Sequence, residues 1–241
     1  IDHVPHHVPV ESAFHTRFLL PWLDKLEQES HGYLRFQVFP ATPANGNPLQ
    51  LIDQVKDRAA DIVWTSVGDD TKRFPAFAVF SLPFRLHSAK GANRALLEYV
   101  QMHNLAKKEF AGLRLLAVHL SVAGSSGSME IAGKGDPEPP SRPKQFILAM
   151  NAEAYKSLSD ETKKIIHANS GAEMSALLGR TLVDDVADAG RPTNSATTAS
   201  PAQGTDQEVE SRIRELDQRG LDGKELVDSA RALLAEHDPP K

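Results

Sequence analysis

The sequence predicts an α/β fold in which helices cover both faces of a mostly parallel sheet. Two observations carry this prediction. Helical and strand patterns alternate along the first half of the chain, and the strand patterns are short apolar runs with little room for another helix. The helical patterns cover 14–30, 48–59 and 89–108, and the strand patterns that follow them cover 33–39, 62–64 and 113–120.

Composition excludes several classes of function. The 241 residues are 40% hydrophobic and 24% charged, which is typical of a globular protein. The net charge of −5 argues against a nucleic-acid partner, and the absence of cysteine excludes disulfides, thiol catalysis and cysteine metal sites. No apolar run approaches the about 20 residues of a membrane span. A removed export signal would explain a chain that begins at Ile1, and so would a trimmed sequence.

The N-terminal stretch 1–13 is predicted to be extended or loop-like, with prolines at 5 and 9. It carries His3, His6 and His7, and His15 follows closely. These side chains suit either a metal site or a polar strand and loop, and the lack of cysteine and of a helical histidine pair favours the latter. A metal-dependent hydrolase built on them lacks paired carboxylates or a catalytic triad elsewhere.

The first predicted helix contains Pro21, which should either kink it or begin its regular part, and Gly32 should end it. The second begins with Asn47 as a cap and Pro48 in its first turn. The strand after it ends in the polar run 65–68, which places hydroxyl groups and a glycine at the carboxyl edge of the sheet. Ligands bind at this edge in open α/β sheets.

The later elements follow the same logic. Ser88 should cap the helix 89–108, and His119, near the end of the next strand, should face either core or cleft, with core favoured. The predicted strand 145–150 is followed by a long helix that begins at Ser159. The remaining helices are a charged one over 206–219 and a final one preceded by a capping box. Glycine, serine, threonine and proline dominate 121–144 and 191–205, which we interpret as linkers.

Ordered sequence blocks resemble the first lobe of a TRAP-transporter periplasmic solute-binding protein of the dicarboxylate-binding type. The blocks are 46–57, 61–65, 73–75 and 82–84, and matching stretches together cover about 1–120, 145–190 and 206–237. Two positions depart from the family pattern, because Asp69 replaces an aromatic residue and Lys72 a glycine. The resemblance also implies a second-lobe strand whose arginine pairs with a ligand carboxylate. Arg142 is the only arginine in 121–144, and its proline-rich setting does not match.

The resemblance implies a periplasmic-binding-protein-like α/β fold with two lobes of mostly parallel sheet flanked by helices, the second lobe being reduced. Residues 1–120 would form the first lobe with a wall of the cleft. Residues 121–144 would be a linker that replaces part of the second lobe, through a deletion or an incomplete chain. Residues 145–241 would form the remainder of the second lobe, a long crossover helix and the C-terminal helices.

The implied function is capture of a small organic acid by hinge closure, followed by its delivery to the membrane permease subunits of a TRAP transporter. The protein would be a monomer, mature and periplasmic, with no enzymatic activity, cofactor or metal. The expected ligand-binding residues are Asn47, Trp64, Thr65, Ser66, Gly68, Arg73, Phe74, Met150 and Asn151. Arg73 suits either a carboxylate partner or a structural salt bridge, and Asn151 either faces the cleft or caps the next helix.

A second hypothesis fits the incomplete second lobe. The chain would then be a degenerate or truncated member of the family that keeps the first-lobe fold, has lost ligand capture and acts through protein contacts.

Overall fold

The computed structural model describes residues 2–6, 14–40, 48–68, 70–121, 143–175, 177–178 and 205–239. In this part of the chain five strands form one sheet in the order β2-β1-β3-β5-β4. The strands are β1 (Asp2–His6), β2 (Phe36–Pro40), β3 (Ile62–Ser66), β4 (Leu113–Ser121) and β5 (Lys144–Asn151).

Four of these strands run in the same direction and β5 opposes them. Strand β1 pairs in parallel with β2 and β3, whereas β5 is antiparallel to both of its neighbours, β3 and β4. The sheet is therefore mixed, although the predicted parallel arrangement holds for β1 to β4. Its one antiparallel member brings the start of β5 to the carboxyl ends of the other strands.

Helices cover the sheet within the described residues. A π-helix (Phe14–Leu19) leads into α1 (Leu20–Glu29), and a 3₁₀-helix spans Phe77–Ser81. The α-helices after α1 are α2 (Pro48–Lys56), α3 (Ala89–Met102), α4 (Leu105–Lys108), α5 (Ala152–Ser157), α6 (Asp160–Ala168), α7 (Thr205–Gln218) and α8 (Gly223–His237).

Three predicted helices end or divide at identifiable residues. Pro21 lies in the first turn of α1, so it begins the regular part of the predicted helix 14–30. The predicted helix 89–108 divides into α3 and α4 at Asn104, whose φ is 54°. Helix α6 ends at Ala168 instead of continuing, because Gly171 adopts a φ of 86° and its N–H donates to the carbonyl of Leu116 on β4 (2.7 Å).

The two faces of the sheet have separate cores, which confirms that helices cover both. Alternating residues of β3 and β5 serve the two cores, as Val63 and Trp64 of β3 show. Helices α2, α3, α7 and α8 pack on the face of Val63. The π-helix, α1, α6 and part of 172–178 pack on the face of Trp64.

The end of α8 is fixed to the start of α3. The carboxylate of Asp238 accepts hydrogen bonds from the backbone N–H groups of His87 and Ser88, both at 2.6 Å, and from the Ser88 hydroxyl. Ser88 also accepts from the N–H of Gly91, which confirms it as the cap of this helix. A Cβ on Gly91 would overlap the backbone carbonyl of His237, so only glycine permits this approach.

The position of β5 bears on the division into lobes. The sequence assigns residues from 145 onward to the remainder of a second lobe, and the structure places β5 between β3 and β4 in the sheet that also contains β1 and β2. The reason is its apolar pattern, which fits a strand buried on both faces. The linker at 121–144 lies largely outside the described residues, and the two-lobe arrangement stays a prediction. No described helix is long and apolar enough to cross a bilayer.

Candidate functional site

The carboxyl end of β3 meets the amino end of β5 at one edge of the sheet. Ser66 is paired with Phe146, and just beyond it the N–H of Val67 donates to the carbonyl of Gln145 (2.9 Å). Strand β4 ends at the same edge, with His119 opposite Phe146. The structure thus brings the polar run after β3 together with the start of β5, at the edge where α/β sheets bind ligands.

A buried aromatic cluster of Trp64, His119 and Phe146 lies just inside this edge. The indole Nε1–H of Trp64 donates to Nε2 of His119 (2.9 Å), and the two rings are inclined by only 6°. Phe146 stacks on both, with ring centroids 4.8 and 4.9 Å away. Because Nε2 accepts this bond, the proton of a neutral His119 lies on Nδ1.

This cluster assigns Trp64 and His119 to the core. Trp64 is 1% exposed and His119 is fully buried. The preferred interpretation of His119 as a core residue is therefore correct. Trp64, which the resemblance implies as a ligand-binding residue, belongs wholly to the core in this structure, because its polar nitrogen is bonded to His119 and its ring is stacked on Phe146.

A second group at the edge consists of Gln145, Ser81 and Gly68, on the other face of the sheet. The side-chain amide of Gln145 is fully buried, and its Nε2 donates to the hydroxyl of Ser81 (2.8 Å). Ser81 in turn donates to the backbone carbonyl of Gly68 (3.3 Å). The 3₁₀-helix is therefore joined to the end of β3 through a glutamine that begins β5.

Gly68 is required by this arrangement. A Cβ at residue 68 would lie 2.5 Å from Oε1 of Gln145 and 3.2 Å from the Ser81 hydroxyl. A larger residue would push the amide away from the end of β3. Gly68 therefore lies at the predicted site, and the close approach of Gln145 explains the need for glycine there.

Two other polar residues predicted from this region, Thr65 and Ser66, differ in exposure. Thr65 is fully buried on the face of Val63, whereas Ser66 is half-buried at the edge itself. Asn47 lies outside the described residues, as do Arg142 and Asp69. Of the predicted wall, Ser66 and Gly68 are therefore the members that the structure brings to the edge beside Gln145.

Arg73 forms an ion pair on the protein surface. Its guanidinium donates twice to the carboxylate of Asp53, at 2.7 and 3.1 Å, and Asp70 lies 3.9 Å from its Nε. The side chain of Asp53 is about half exposed. Of the two roles that the sequence allows for Arg73, this geometry supports the structural salt bridge, because both terminal nitrogens are already bonded to a carboxylate.

Phe74 is a core residue. It is 1% exposed, and its ring stacks on Phe110 at 4.8 Å between centroids. The segment that follows it is held by Glu109, whose carboxylate accepts the N–H groups of Ala76 (2.7 Å) and Phe77 (2.9 Å). Burial raises the pKa of Glu109, and these two hydrogen bonds oppose the shift. Phe74 therefore belongs to the core on the Val63 face of the sheet, and the structure does not place it in a ligand-binding wall.

Met150 and Asn151 lie at the opposite edge of the sheet. Met150 is paired with Ile62 at the start of β3 and is fully buried. The Asn151 side-chain oxygen accepts the N–H groups of Glu153 (2.9 Å) and Ala154 (2.8 Å), and its nitrogen donates to the carbonyl of Val55 (2.7 Å). The expectation that these residues face the same cleft as Ser66 is wrong for this structure, since β5 is antiparallel to β3. Asn151 is the helix cap.

Metal chemistry receives no support from the described residues. Within them no group of three or more histidine, aspartate or glutamate side chains could hold an ion. His15 is buried, and the side chains of His3, His6 and His7 lie outside the described residues.

The sequence analysis missed Gln145 and Ser81. One signal for Gln145 was available, since it is the polar residue at the start of an otherwise apolar strand. Ser81 carried no signal, because it contacts Gln145 only through a sequence separation of 64 residues.

Comparison with known families supports the sequence-based resemblance. The family model of bacterial extracellular solute-binding proteins, family 7 (DctP), matches residues 5–131, which is more than half of the chain. No curated protein sequence matches the chain significantly.

Several solved structures share the fold. A TRAP solute-binding protein from Rhodoferax ferrireducens with copurified benzoate is 23% identical with a TM-score of 0.75, and 98% of each chain is covered. A marine metagenome TRAP solute-binding protein specific for aromatic acids, in complex with 3-hydroxybenzoate, is 24% identical with a TM-score of 0.78 and the same coverage. A Bordetella bronchiseptica protein with bound mandelate is 17% identical, with a TM-score of 0.70 over 98% of this chain and 99% of that one.

These likenesses identify the fold as periplasmic-binding-protein-like. A family of solute-binding proteins also agrees with the prediction of a binding protein rather than an enzyme. With its family model matched across residues 5–131, the chain belongs to family 7 of the bacterial extracellular solute-binding proteins.

Proposed function

We propose that this protein captures a small organic acid outside the cytoplasm and delivers it to the membrane permease of a TRAP-type transporter. The observation that carries the proposal is the family match over residues 5–131. The ligands of the similar structures support an acid, because benzoate, 3-hydroxybenzoate, mandelate, galactonate and glucuronate all carry a carboxylate. The dicarboxylate subtype, the periplasmic location and the monomeric state remain parts of this proposal.

The binding surface that we propose is the edge formed by the end of β3 and the start of β5. Ser66 and Gly68 reach this edge, and Thr65 and Trp64 support it from inside the sheet. Asn47 would contribute from the loop before α2. Closure of an opposing wall over this edge would shield the acid from water, as hinge motions do in other binding proteins.

A panel of acids tests the proposal directly. Isothermal titration with benzoate, 3-hydroxybenzoate, mandelate, galactonate, glucuronate and succinate should show binding of at least one acid. A ligand that binds only the folded state also raises its melting temperature, so thermal unfolding supplies an independent readout. Failure of every acid in both measurements, with a protein that unfolds cooperatively, would contradict acid capture.

A second candidate function is a family member that keeps the fold and has lost ligand capture. One observation favours it. Arg73 is the sole cation among the predicted site residues, and its guanidinium is already bonded to Asp53 through two nitrogens. A carboxylate would then need donors from elsewhere. The same titration separates the two candidates, since this one predicts a well-folded protein that binds none of the acids.

A further inference from the structure

The starting observation is a buried acceptor at the edge of the proposed site. Oε1 of Gln145 is shielded from water and has no hydrogen-bond partner among the described residues. Buried polar atoms are nearly always partnered, because an amide oxygen removed from water loses a hydrogen bond that must be replaced. An exception beside a candidate binding surface suggests that the missing partner comes from outside the chain.

The chemistry of that partner is restricted by the orientation of the amide. Nε2 of Gln145 donates to the Ser81 hydroxyl (2.8 Å), whose proton is directed to the carbonyl of Gly68 (3.3 Å). Rotation of the amide by half a turn would exchange Nε2 and Oε1 and break this chain of bonds. The group that remains unpartnered is therefore an acceptor, which cannot bind a ligand carboxylate but can accept from a hydroxyl.

The amide lies at the edge of the proposed site, and because its oxygen is buried a ligand reaches it only when the neighbouring side chains move. Gln145 follows Lys144 at the start of β5, its carbonyl accepts the N–H of Val67, and its Oε1 lies against Gly68. The oxygen is thus held at the end of β3, the same edge where Ser66 is half-buried. Only the lack of a side chain at Gly68 leaves room for it.

We propose that Gln145 is a specificity-determining residue that accepts a hydrogen bond from a ligand hydroxyl, so that the protein favours hydroxylated acids over their unsubstituted analogues. The inference rests on the proposed capture of an organic acid. It adds the substrate class, which is a small hydroxy acid, and the atom that recognises it.

The experiment compares matched acids that differ by one hydroxyl. Dissociation constants are measured for 3-hydroxybenzoate against benzoate, mandelate against phenylacetate, and malate against succinate, with the wild type and two variants. Gln145→Met keeps the length of the side chain and removes both polar atoms. Ser81→Ala is the comparison variant, because it keeps the acceptor oxygen of Gln145 and removes the bond that fixes the orientation of the amide. Unfolding of the unliganded variants shows whether each one folds.

We expect the wild type to prefer the hydroxylated member of at least one pair. Gln145→Met should reduce that preference by about ten-fold, the value of one hydrogen bond, and Ser81→Ala should reduce it less, because the acceptor oxygen is still present although its orientation is no longer fixed. If Gln145→Met does not fold, Gln145→Asn makes the same test, because it withdraws the amide by one methylene.

Three results would overturn the inference. The first is binding of both members of every pair with equal affinity, which leaves acid capture intact. The second is an unchanged preference in Gln145→Met with only a lower melting temperature, as expected if an ordered water satisfies Oε1. The third is binding of no acid by the wild type, which removes the proposed function as well.

Discussion

Strand β5 carries a buried carboxamide near each end, Gln145 and Asn151, and the two differ in how many of their polar atoms form hydrogen bonds. Asn151 uses both ends of its amide, since its oxygen caps α5 and its nitrogen reaches the carbonyl of Val55 across the core. Gln145 uses only its nitrogen, which bonds to Ser81, while its oxygen has no partner among the described residues. Both side chains are almost fully buried, so solvent access does not explain the difference.

The two amides differ in the role that their hydrogen bonds allow, which is structural for Asn151 and open to ligand recognition for Gln145. A buried amide whose four hydrogen-bonding positions are largely used stabilises the fold and can do little else. A buried amide with an open acceptor costs stability unless something completes it. Because β5 is antiparallel to β3, Asn151 lies beside the start of β3 and Gln145 lies beside its carboxyl end.

The largest effect should come from the satisfied amide. Asn151→Ala removes a helix cap and the side-chain hydrogen bond to the Val55 carbonyl, so we expect the free energy of unfolding to fall by about 3 kcal/mol. Gln145→Met should change it by no more than about 1 kcal/mol, because it removes one bond and also an unpartnered oxygen. Urea unfolding measures both values.

Asn151→Ser provides the control for this pair, since its hydroxyl oxygen can still cap α5 and the donor to Val55 is lost. It should be intermediate between the wild type and Asn151→Ala. Equal losses in Gln145→Met and Asn151→Ala would show that both amides are structural and would end the contrast between them.

Gly68→Ala should have the next largest effect. Its new methyl group would meet Oε1 of Gln145, and we expect a loss of about 2 kcal/mol from overpacking. Combining it with Gln145→Ala, which removes the obstructing amide, should recover part of this loss. A double-mutant cycle with additive energies would mean that the two residues do not compete for the same space.

Glu109 supports the Gln145 end of β5 indirectly, because it holds the start of the 3₁₀-helix that carries Ser81. Glu109→Gln turns an amide nitrogen toward one of the two backbone N–H groups, so we expect a loss of about 1.5 kcal/mol. Burial raises the pKa of Glu109, and the native state therefore keeps this proton at a higher pH than the unfolded chain does.

The sign of the pH dependence follows. The contribution of Glu109 to stability falls as pH rises through the range between its unfolded and its raised folded pKa, and glutamine has no such dependence. The difference between wild type and Glu109→Gln should thus be largest at the acid side of this range and should narrow above it. Unfolding curves recorded from pH 4 to 7 check this, and a difference that widens with pH would contradict the raised pKa.

The smallest effect should come from the surface pair. Arg73→Ala and Asp53→Ala should each cost about 0.5 kcal/mol, because exposed ion pairs contribute little. We expect Arg73→Ala to leave the affinity for an acid unchanged, since Asp53 already holds the guanidinium. A ten-fold loss of affinity in Arg73→Ala alone would return this residue to the binding site.

The features that sequence analysis recovers are local ones. Ser88, Ser159 and Asp222 each accept a backbone N–H three residues ahead, and such caps can be read from adjacent residues. The strands follow from short apolar runs in the same way. The division of the predicted long helix after Ala168 is partly local too, because Gly171 marks the point where the chain turns to reach β4.

The missing features depend on distant partners. Trp64 looks half exposed in sequence because its acceptor, His119, is 55 residues away. Met150 was assigned to the cleft because the direction of β5 cannot be deduced from its composition. The role of Arg73 could be narrowed to two possibilities, and only the position of Asp53 favours one of them. The direction of the strands and the pairing of side chains, rather than residue type, decide which residues lie at the site and which lie in the core.

The pairing of Ser121 with Lys144 has a consequence for how this sheet can change over evolution. These two residues lie opposite each other on neighbouring antiparallel strands. Segments of very different length can join such positions, because the entropy of closing a loop grows only slowly with its length. Genetic insertion or loss of whole elements between these two residues can therefore leave the register of all five strands unchanged.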